Sequence, residues 1–298
     1  MDKLESMKNQ LIQIYLFVCD LYSTRQSSCF QRRSFNPSQP IFTDQELITI
    51  YFFGHLNKKF NKLDIYNFIK DYWHDWFPDL PAYQTFSYRL NLLSDSFQTI
   101  GQVLLEQLHR QQDEGIDQII DSFPVMLAQN GHAYAAKVAR EVANVGYCAA
   151  KKTYFHGVRL HFIGKRRVGK MPNPKEIWLC EASLYDNVGF KEQQVEVRNV
   201  DLFGDKAYPE PEVHNQLNQQ NSRLIAPKKK PKGKQLTADE KYYNRLVSKF
   251  RQPIESLFNW IIEKSNIQRA SKVRSCEGLM IHCWGKLAFA LFLLVFYY

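Results

Sequence analysis

The sequence predicts an α/β protein in which an all-helical N-terminal part precedes a mixed sheet with flanking helices. Apolar residues recur at helical spacing through residues 1–112. Beyond residue 113, short apolar runs alternate with helical segments, which is typical of a sheet covered by helices. The chain has 298 residues, of which 45% are hydrophobic, enough to bury two ordinary cores. We therefore expect two domains, residues 1–112 and 113–298.

The first domain is predicted to consist of amphipathic helices. The first helix ends before a polar loop, residues 23–40, which carries Arg25, Arg32 and Arg33. Thr43 and Glu46 form a capping box at the start of the second helix. Further helices are predicted over three ranges, residues 61–76, 81–93 and 97–112.

Several short helices joined by tight connections are compatible with a helix-turn-helix module. In that interpretation the helix over residues 81–93 enters a DNA groove and Arg89 contacts DNA. A plain helical bundle explains the same pattern, because aromatic stripes at helical spacing usually belong to a core. The charge also favours the plain bundle, since residues 1–117 carry 11 basic against 14 acidic side chains.

The positive charge is concentrated in the second part of the chain. The whole chain has a formal net charge of +9, and residues 118–298 hold 28 basic against 16 acidic side chains. Such a field favours a polyanion such as nucleic acid, although anionic membrane surfaces attract it too. Two clusters are predicted to contact phosphates, and a solvated turn or linker is the alternative for each: Lys165, Arg166 and Arg167 in a hairpin tip, and Lys228, Lys229 and Lys230 in a proline-lysine loop.

The predicted sheet is built from strands over residues 117–127, 154–163, 176–184, a run ending at 203, and 223–226, with helices over 191–197 and 211–220. His156 and His161 are separated by five positions and so point to opposite faces of their strand. We therefore expect two structural histidines with satisfied hydrogen bonds rather than a joint metal site.

Three carboxylates stand in unusual settings. Asp121 lies inside an apolar strand, where a charge is costly unless it has a partner, a metal or an open cleft. Asp205 follows Gly204 at the end of a strand, where open α/β sheets place their chemistry. Glu255 lies at the border of a buried helical stripe that starts near Pro253.

These three side chains can converge on one point of such a sheet. Carboxylates that close repel one another, so they are stable mainly with divalent cations between them, and magnesium is the natural choice. Two such ions about 3.5–4 Å apart activate a water or hydroxyl for in-line attack on a phosphate. The pattern predicts a phosphodiester-processing site in a basic domain.

The blocks around these carboxylates resemble the motifs of bacterial insertion-sequence DDE transposases. The blocks are Ile119-Ile120-Asp121-Ser122, Gly204-Asp205-Lys206-Ala207-Tyr208, and Arg251-Gln252-Pro253-Ile254-Glu255-Ser256-Leu257-Phe258. Their aspartates and glutamate are 84 and 50 residues apart, which resembles a compact ribonuclease H-like core. The length and helical N-terminus look most like the insertion-sequence family numbered nine-eighty-two.

The resemblance implies a DNA transposase that cleaves element ends and transfers strands to a target. It implies that Asp121, Asp205 and Glu255 bind two Mg²⁺ ions, for which Mn²⁺ can substitute, and that Arg251 contacts a DNA phosphate. Double-stranded DNA is the implied partner, and a homodimer the implied active complex. Ser248 and Ile262 depart from a related signature, which has a tyrosine and a basic residue there, so those two roles are unassigned.

Three other functions remain open at this stage. A ribonuclease H-like nuclease without strand transfer shares the triad, a non-catalytic DNA-binding regulator ignores metal, and a helical interaction protein has no salt-dependent affinity for nucleic acid. Six cysteines without a C-x-x-C pair and an N-terminus without a secretory pattern predict a cytoplasmic protein. The apolar C-terminal run, residues 287–298, predicts a buried helix or subunit contact rather than a membrane anchor.

Overall fold

The computed structural model describes residues 3–24, 41–110 and 117–298. The chain forms two compact units: residues 1–104, 263–267 and 272–298 make the first, and residues 105–262 and 268–271 the second. The C-terminal helical residues 272–298 thus pack with the N-terminal helices as part of the first unit. The predicted domain boundary between residues 112 and 113 lies outside the described residues, so the functional division at that point stays a prediction.

The first unit contains the predicted N-terminal helices. They are α1 (Lys3–Thr24), α2 (Asp44–Leu56), α3 (Lys62–Tyr72), α4 (Tyr83–Asn91) and α5 (Ser94–Arg110). The last part of α5, residues 105–110, is assigned to the second unit. The predicted capping box is confirmed, because Thr43 Oγ1 accepts from the Glu46 backbone N–H at 3.2 Å and a Glu46 carboxylate oxygen accepts from the Thr43 N–H at 2.6 Å. The third helix ends at Tyr72, earlier than predicted, and a 3₁₀ turn follows. The predicted loop with Arg25, Arg32 and Arg33 lies outside the described residues.

The C-terminal part of the first unit is one continuous helical segment. It consists of α11 (Cys276–Met280), a π-helical turn (Ile281–Gly285) and α12 (Lys286–Phe296). The segment Cys276–Phe296 has 21 residues and is long and apolar enough to cross a membrane, whereas the apolar run predicted from the sequence, residues 287–298, is shorter than a membrane span. Its most apolar window is 72% buried inside the protein, as in the core helix of a globular unit.

The second unit is built on a six-stranded mixed sheet. Its strands are β1 (Asp117–Gln129), β2 (Asn144–Cys148), β3 (Thr153–Lys165), β4 (Asn173–Glu181), β5 (Asp201–Phe203) and β6 (Arg223–Ile225). The order is β2-β3-β1-β5-β6, with β4 also paired to β3. The pairs of β3 are antiparallel, whereas β1, β5 and β6 are parallel. This mixed sheet with flanking helices, together with the helical N-terminal region, confirms the predicted ribonuclease H-like fold class.

Strand β2 was not predicted from the sequence. It has five residues with Gly146 at its centre, and glycine ordinarily weakens a strand. The structure gives the reason for the glycine: a Cβ there would lie 2.0 Å from the carbonyl oxygen of Ala182. The close approach of the two backbones therefore requires glycine. Because glycine has a low strand propensity, the sequence does not predict this strand.

The second unit also contains helices α6 (Gly131–Ala135), α7 (Asp186–Gln193), α8 (Pro211–Gln219), α9 (Ala238–Arg251) and α10 (Pro253–Ser265). Thr237 caps α9 through a capping box with Glu240. Pro253 starts a new helix, where its missing N–H has no cost. Helix α7 begins at Asp186, five residues before the predicted start at Lys191.

The two faces of the sheet bury different helices. On one face, Phe258 of α10 packs against Phe123 and Phe162, with ring centroids 4.9 and 5.3 Å apart. On the other face, Ile120 and Trp178 belong to a core cluster that includes residues of α7 and α8. Asp121 shares a face with Phe123, because residues two apart in a strand point the same way. The carboxylate therefore faces the side of the sheet on which α10 lies.

Candidate active site

Asp121 lies near the middle of β1, and both of its carboxylate oxygens accept hydrogen bonds. Its Oδ1 accepts from the Ser122 backbone N–H at 2.9 Å, and its Oδ2 accepts from Arg251 at 2.7 Å. The two side chains are only 16% and 17% exposed. Burial raises the pKa of Asp121, while the Arg251 guanidinium opposes that rise. The aspartate that the sequence marked as costly inside an apolar strand is thus paired with a cation.

Asp205 lies two residues beyond the end of β5, the strand that pairs with β1. In the parallel pair of β1 and β5, Asp117 lies beside Asp201 and Ile119 beside Phe203. The last paired residues, Ile119 and Phe203, thus each lie two positions before a predicted site aspartate. The strand ends at Phe203, and the Tyr208 N–H donates to the Asp205 carbonyl at 3.2 Å in the turn that follows. Asp205 is thus half-buried beyond the end of its strand.

Gly204 is required by close packing at this turn. Its N–H donates to the carbonyl of Ile225 at 3.0 Å, which ties the strand end to β6. A Cβ at this position would lie 3.0 Å from the Tyr208 ring and 3.2 Å from Ile120. The glycine therefore lets the chain stay against the core while it delivers Asp205.

Glu255 lies in the first turn of α10 and is exposed. The buried stripe of this helix, which includes Ile254 and Phe258, faces the sheet and leaves Glu255 at its margin. All three carboxylates act on the pKa of Arg251. Burial acts to lower this pKa, but the negative charges of Asp121, Asp205 and Glu255 raise it. All three predicted side chains thus lie within electrostatic reach of one guanidinium.

A comparison with protein-family models identifies the domain. Residues 110–276, more than half of the chain, match the model described as "Transposase DDE domain". The chain belongs to the transposase DDE domain family. Neither curated proteins nor solved structures give a significant match.

The DDE domain makes this protein an enzyme of transposition, with DNA as the substrate class. Domains of this kind generally depend on divalent metal ions. The donor set fits such an ion, because Asp121, Asp205 and Glu255 offer only hard carboxylate oxygens. Among the described residues, however, no three His, Cys, Asp or Glu side chains are close enough together to hold a metal. The Arg251 guanidinium lies at Oδ2 of Asp121, so an ion at that oxygen requires Arg251 to move.

Asp186 is a further carboxylate close enough to Asp121 to affect its pKa, and sequence reasoning missed it. Its Oδ1 accepts from Ser122 Oγ at 2.8 Å and lies 3.7 Å from Arg159. Its negative charge also acts to raise the pKa of Asp121. A signal for it was present in the sequence, because an acidic residue after β4 can mark the first turn of a helix, where carboxylates are favourable. Placing α7 five residues too late concealed it.

Tyr208 and His161 are buried near these carboxylates and have polar atoms without a hydrogen-bond partner among the residues that the structure describes. The Tyr208 hydroxyl has none, and its pKa is raised by burial and by Asp186, Asp121 and Asp205. Neither ring nitrogen of His161 has a partner, and burial lowers its pKa to about 4. The prediction of a satisfied histidine is therefore wrong for His161, whose ring stacks on Trp178 instead. It is correct for His156, which bonds the Val138 carbonyl at 2.8 Å.

The predicted phosphate contacts of the hairpin tip are partly engaged within the DDE domain. The Arg166 guanidinium lies 4.2 Å from the Phe250 ring centroid and 3.6 Å from the Asp117 carboxylate. Arg167 donates to the carbonyl of Met171 at 2.6 Å. Lys165 ends β3 and is half-buried. These contacts fix the two arginines beside the sheet, which limits how far they can reach toward a ligand.

The remaining predicted DNA contacts differ in exposure. Lys228, Lys229 and Lys230 are exposed on the loop after β6, and Lys228 lies 3.5 Å from the Glu240 carboxylate. In the first unit, Arg89 donates to the Phe42 carbonyl at 2.6 Å and to Asp44 at 2.8 Å. The lysine loop is thus available to a polyanion, whereas Arg89 is bonded within its own unit.

Proposed function

We propose that this chain is a bacterial insertion-sequence transposase of the family numbered nine-eighty-two, which cleaves the DNA ends of its element and joins them to target DNA. The observation that supports it is the arrangement of Asp121, Asp205 and Glu255 around Arg251 in a transposase DDE domain. A buried cation within reach of three carboxylates marks a place where strong negative charge must be compensated.

In this proposal Asp121, Asp205 and Glu255 hold two Mg²⁺ ions, for which Mn²⁺ can substitute. When bound, the ions supply activation of the attacking oxygen and stabilisation of the leaving oxygen. The chain's own contribution is positional. The Ser122 N–H fixes one oxygen of Asp121, and Gly204 fixes the turn that carries Asp205. Arg251, once released from Asp121, binds a DNA phosphate.

The chemistry has two steps in this proposal. Water first attacks a phosphorus at the element end, and the 3′ oxygen leaves with a proton as a free hydroxyl. That hydroxyl then attacks a phosphorus of target DNA and displaces a second 3′ oxygen. The exposed lysines 228–230 hold the DNA backbone without reading its sequence. Because two element ends must be brought together, we propose that the active complex is a homodimer. We place the protein in the bacterial cytoplasm, associated with the nucleoid when it is bound to DNA.

The Asp205→Asn substitution tests the catalytic assignment. With DNA that carries the element ends and Mg²⁺, we expect strand nicking to fall by at least about a hundredfold, because the amide removes a charge that the reaction needs. Nicking and joined products are measured on denaturing gels. A ribonuclease H-like nuclease without strand transfer would give nicked DNA but no joined products.

The matched control is Asp201→Asn. Asp201 lies four residues earlier, and its carboxylate pairs with Arg223 instead of facing Arg251. We expect this variant to keep nearly full activity, because an exposed ion pair contributes little. Full nicking activity in Asp205→Asn would sink the catalytic proposal, and so would equal losses in both variants.

A further inference from the structure

A cavity within the first unit has the size of a small-molecule site. Its volume is about 470 Å³, and it lies among α3, α4, the π-helical turn and residues 272–275. Ligand pockets are commonly a few hundred cubic ångströms. It is lined entirely by residues of the helical unit, whereas the carboxylates of the DDE site belong to the second unit.

Cationic side chains dominate the lining of this cavity. Lys62, Lys272, Arg274 and Lys286 line it, against a single carboxylate, Asp64. Lys286 is 2% exposed, and its Nζ donates to the Asn266 carbonyl at 3.2 Å. Lys62 is half-buried and donates to the Asn91 side-chain oxygen. The cavity therefore carries a net positive charge.

Neither Lys62 nor Lys286 has an acidic partner in the part of the chain that the structure describes. Among the residues that the structure describes, no carboxylate forms an ion pair with Lys62 or Lys286. Burial lowers the pKa of Lys62 to about 8 and that of Lys286 to about 7. A buried ammonium without an anion is costly, and an anionic ligand removes that cost.

The local backbone also singles out this cavity. The turn Ile281–Gly285 is π-helical, and turns of this kind are frequent at functional sites. It brings His282 to the wall and is followed at once by Lys286. Its last residue, Gly285, packs directly against the ring of Tyr51. A Cβ at this position would lie 2.9 Å from that ring, so a larger residue would clash with it. Helix α2 and the π-helical turn therefore meet closely at the cavity.

Aromatic and apolar side chains lie beside the cations. Tyr51, Phe60 and Tyr83 line the cavity, and Nζ of Lys286 lies 5.8 Å from the Phe60 ring centroid. Leu63 also lines it and is 47% exposed. Flat apolar surfaces favour a planar ring, and the adjacent ammonium groups favour phosphate oxygens.

We propose that this cavity binds a nucleoside phosphate, with the phosphate at Lys62 and Lys286 and the base against the aromatic side chains. The ligand is either a free nucleotide or one nucleotide of a DNA strand, since both offer the same chemistry. The inference goes beyond the proposed catalytic reaction and does not depend on it.

Equilibrium binding of deoxyadenosine 5′-monophosphate to the full chain without divalent metal tests the site. We expect saturable binding that weakens by about tenfold or more in Lys62→Met and in Lys286→Met, because each loses a charged hydrogen bond. Methionine keeps the apolar volume, and removing a buried charge is not expected to unfold the helices. The matched control is Lys70→Met, an exposed lysine on the same helix as Lys62, and it should bind normally.

Two further arms identify the source and class of the ligand. A 5′-phosphorylated oligonucleotide that displaces the nucleotide assigns the site to DNA, and one that does not assigns it to a free nucleotide. Asp205→Asn should bind as the parent chain does, so failure of the catalytic proposal leaves this one standing. Absence of saturable binding, unchanged affinity in both lysine variants, or equal affinity for inorganic phosphate would overturn the assignment.

Discussion

Arg251 has the decisive contacts at the residue scale. It donates to Asp121 at 2.7 Å, and its pKa responds to Asp205 and Glu255 as well. In the absence of metal, the guanidinium therefore supplies the positive charge that a buried carboxylate needs. The same side chain is the predicted phosphate contact. Binding of the proposed divalent ion at Asp121 would therefore require release of Arg251 from that carboxylate.

The Arg251→Met substitution should destabilise the protein and increase its response to metal. Breaking a largely buried ion pair leaves Asp121 uncompensated, and we expect a loss of about 3 kcal/mol in the free energy of unfolding. Mn²⁺ should then raise the melting temperature of Arg251→Met more than that of the parent chain, because the ion replaces the missing charge. Thermal unfolding with and without Mn²⁺ measures both effects.

Arg245→Met is the control for that prediction. Arg245 is exposed on the same helix, six residues earlier, so its loss should change stability by less than about 0.5 kcal/mol. Parent-like stability in Arg251→Met, or an identical metal response in both variants, would contradict the role assigned to the ion pair.

At the element scale, the end of β5 depends on a glycine. A Cβ at position 204 would press on the ring of Tyr208, on Ile120 and on Leu224, at 3.0 to 3.3 Å. These neighbours belong to the core cluster, so none can move freely. The position of Asp205 therefore depends on the absence of one methyl group in the preceding residue.

The Gly204→Ala substitution should reduce stability by about 1–2 kcal/mol, because overpacking a core forces its neighbours to shift. Nicking activity should fall as well, since the same shift moves Asp205. Urea unfolding measures the first effect. Gly131→Ala is the control, because nothing lies within 4 Å of a Cβ at that position. Equal stability of the two variants would show that the turn after β5 tolerates a side chain.

At the scale of the whole molecule, charge separates the two parts of the chain. Residues 118–298 carry 28 basic and 16 acidic side chains, whereas residues 1–117 have an acidic excess. Sequence-independent DNA affinity should therefore come mainly from the second part, and it should fall steeply with salt as counterions are released. The exposed lysine loop after β6 is the clearest contributor.

Replacing Lys229 and Lys230 with glutamine should lower the salt dependence of DNA binding. If each lysine contacts one phosphate, the slope of log affinity against log salt should decrease by about 2. Fluorescence anisotropy with a labelled duplex at several salt concentrations measures this slope. The same change at Lys8 and Lys70 of the first unit should have little effect, and equal effects of the two pairs would contradict the assignment to the loop.

Local signals in the sequence account for much of the fold and for the candidate carboxylates. The capping boxes at Thr43 and Thr237, the helix start at Pro253 and the mixed sheet could all be predicted, because each depends on short-range chemistry or on hydrophobic period. Asp121, Asp205 and Glu255 could be singled out because a charge next to an apolar run is unusual.

Only the tertiary structure decided which groups meet. The ion pair of Asp121 with Arg251 joins positions 130 residues apart, and the bond from Ser122 to Asp186 joins positions 64 apart. Strand β2 contains Gly146, a residue type with low strand propensity, because of a close backbone contact. The cavity lined by Lys62 and Lys286 combines residues 51–91 with residues 272–286. Sequence determines local preference over a few residues, whereas long-range packing determines which buried charges find partners.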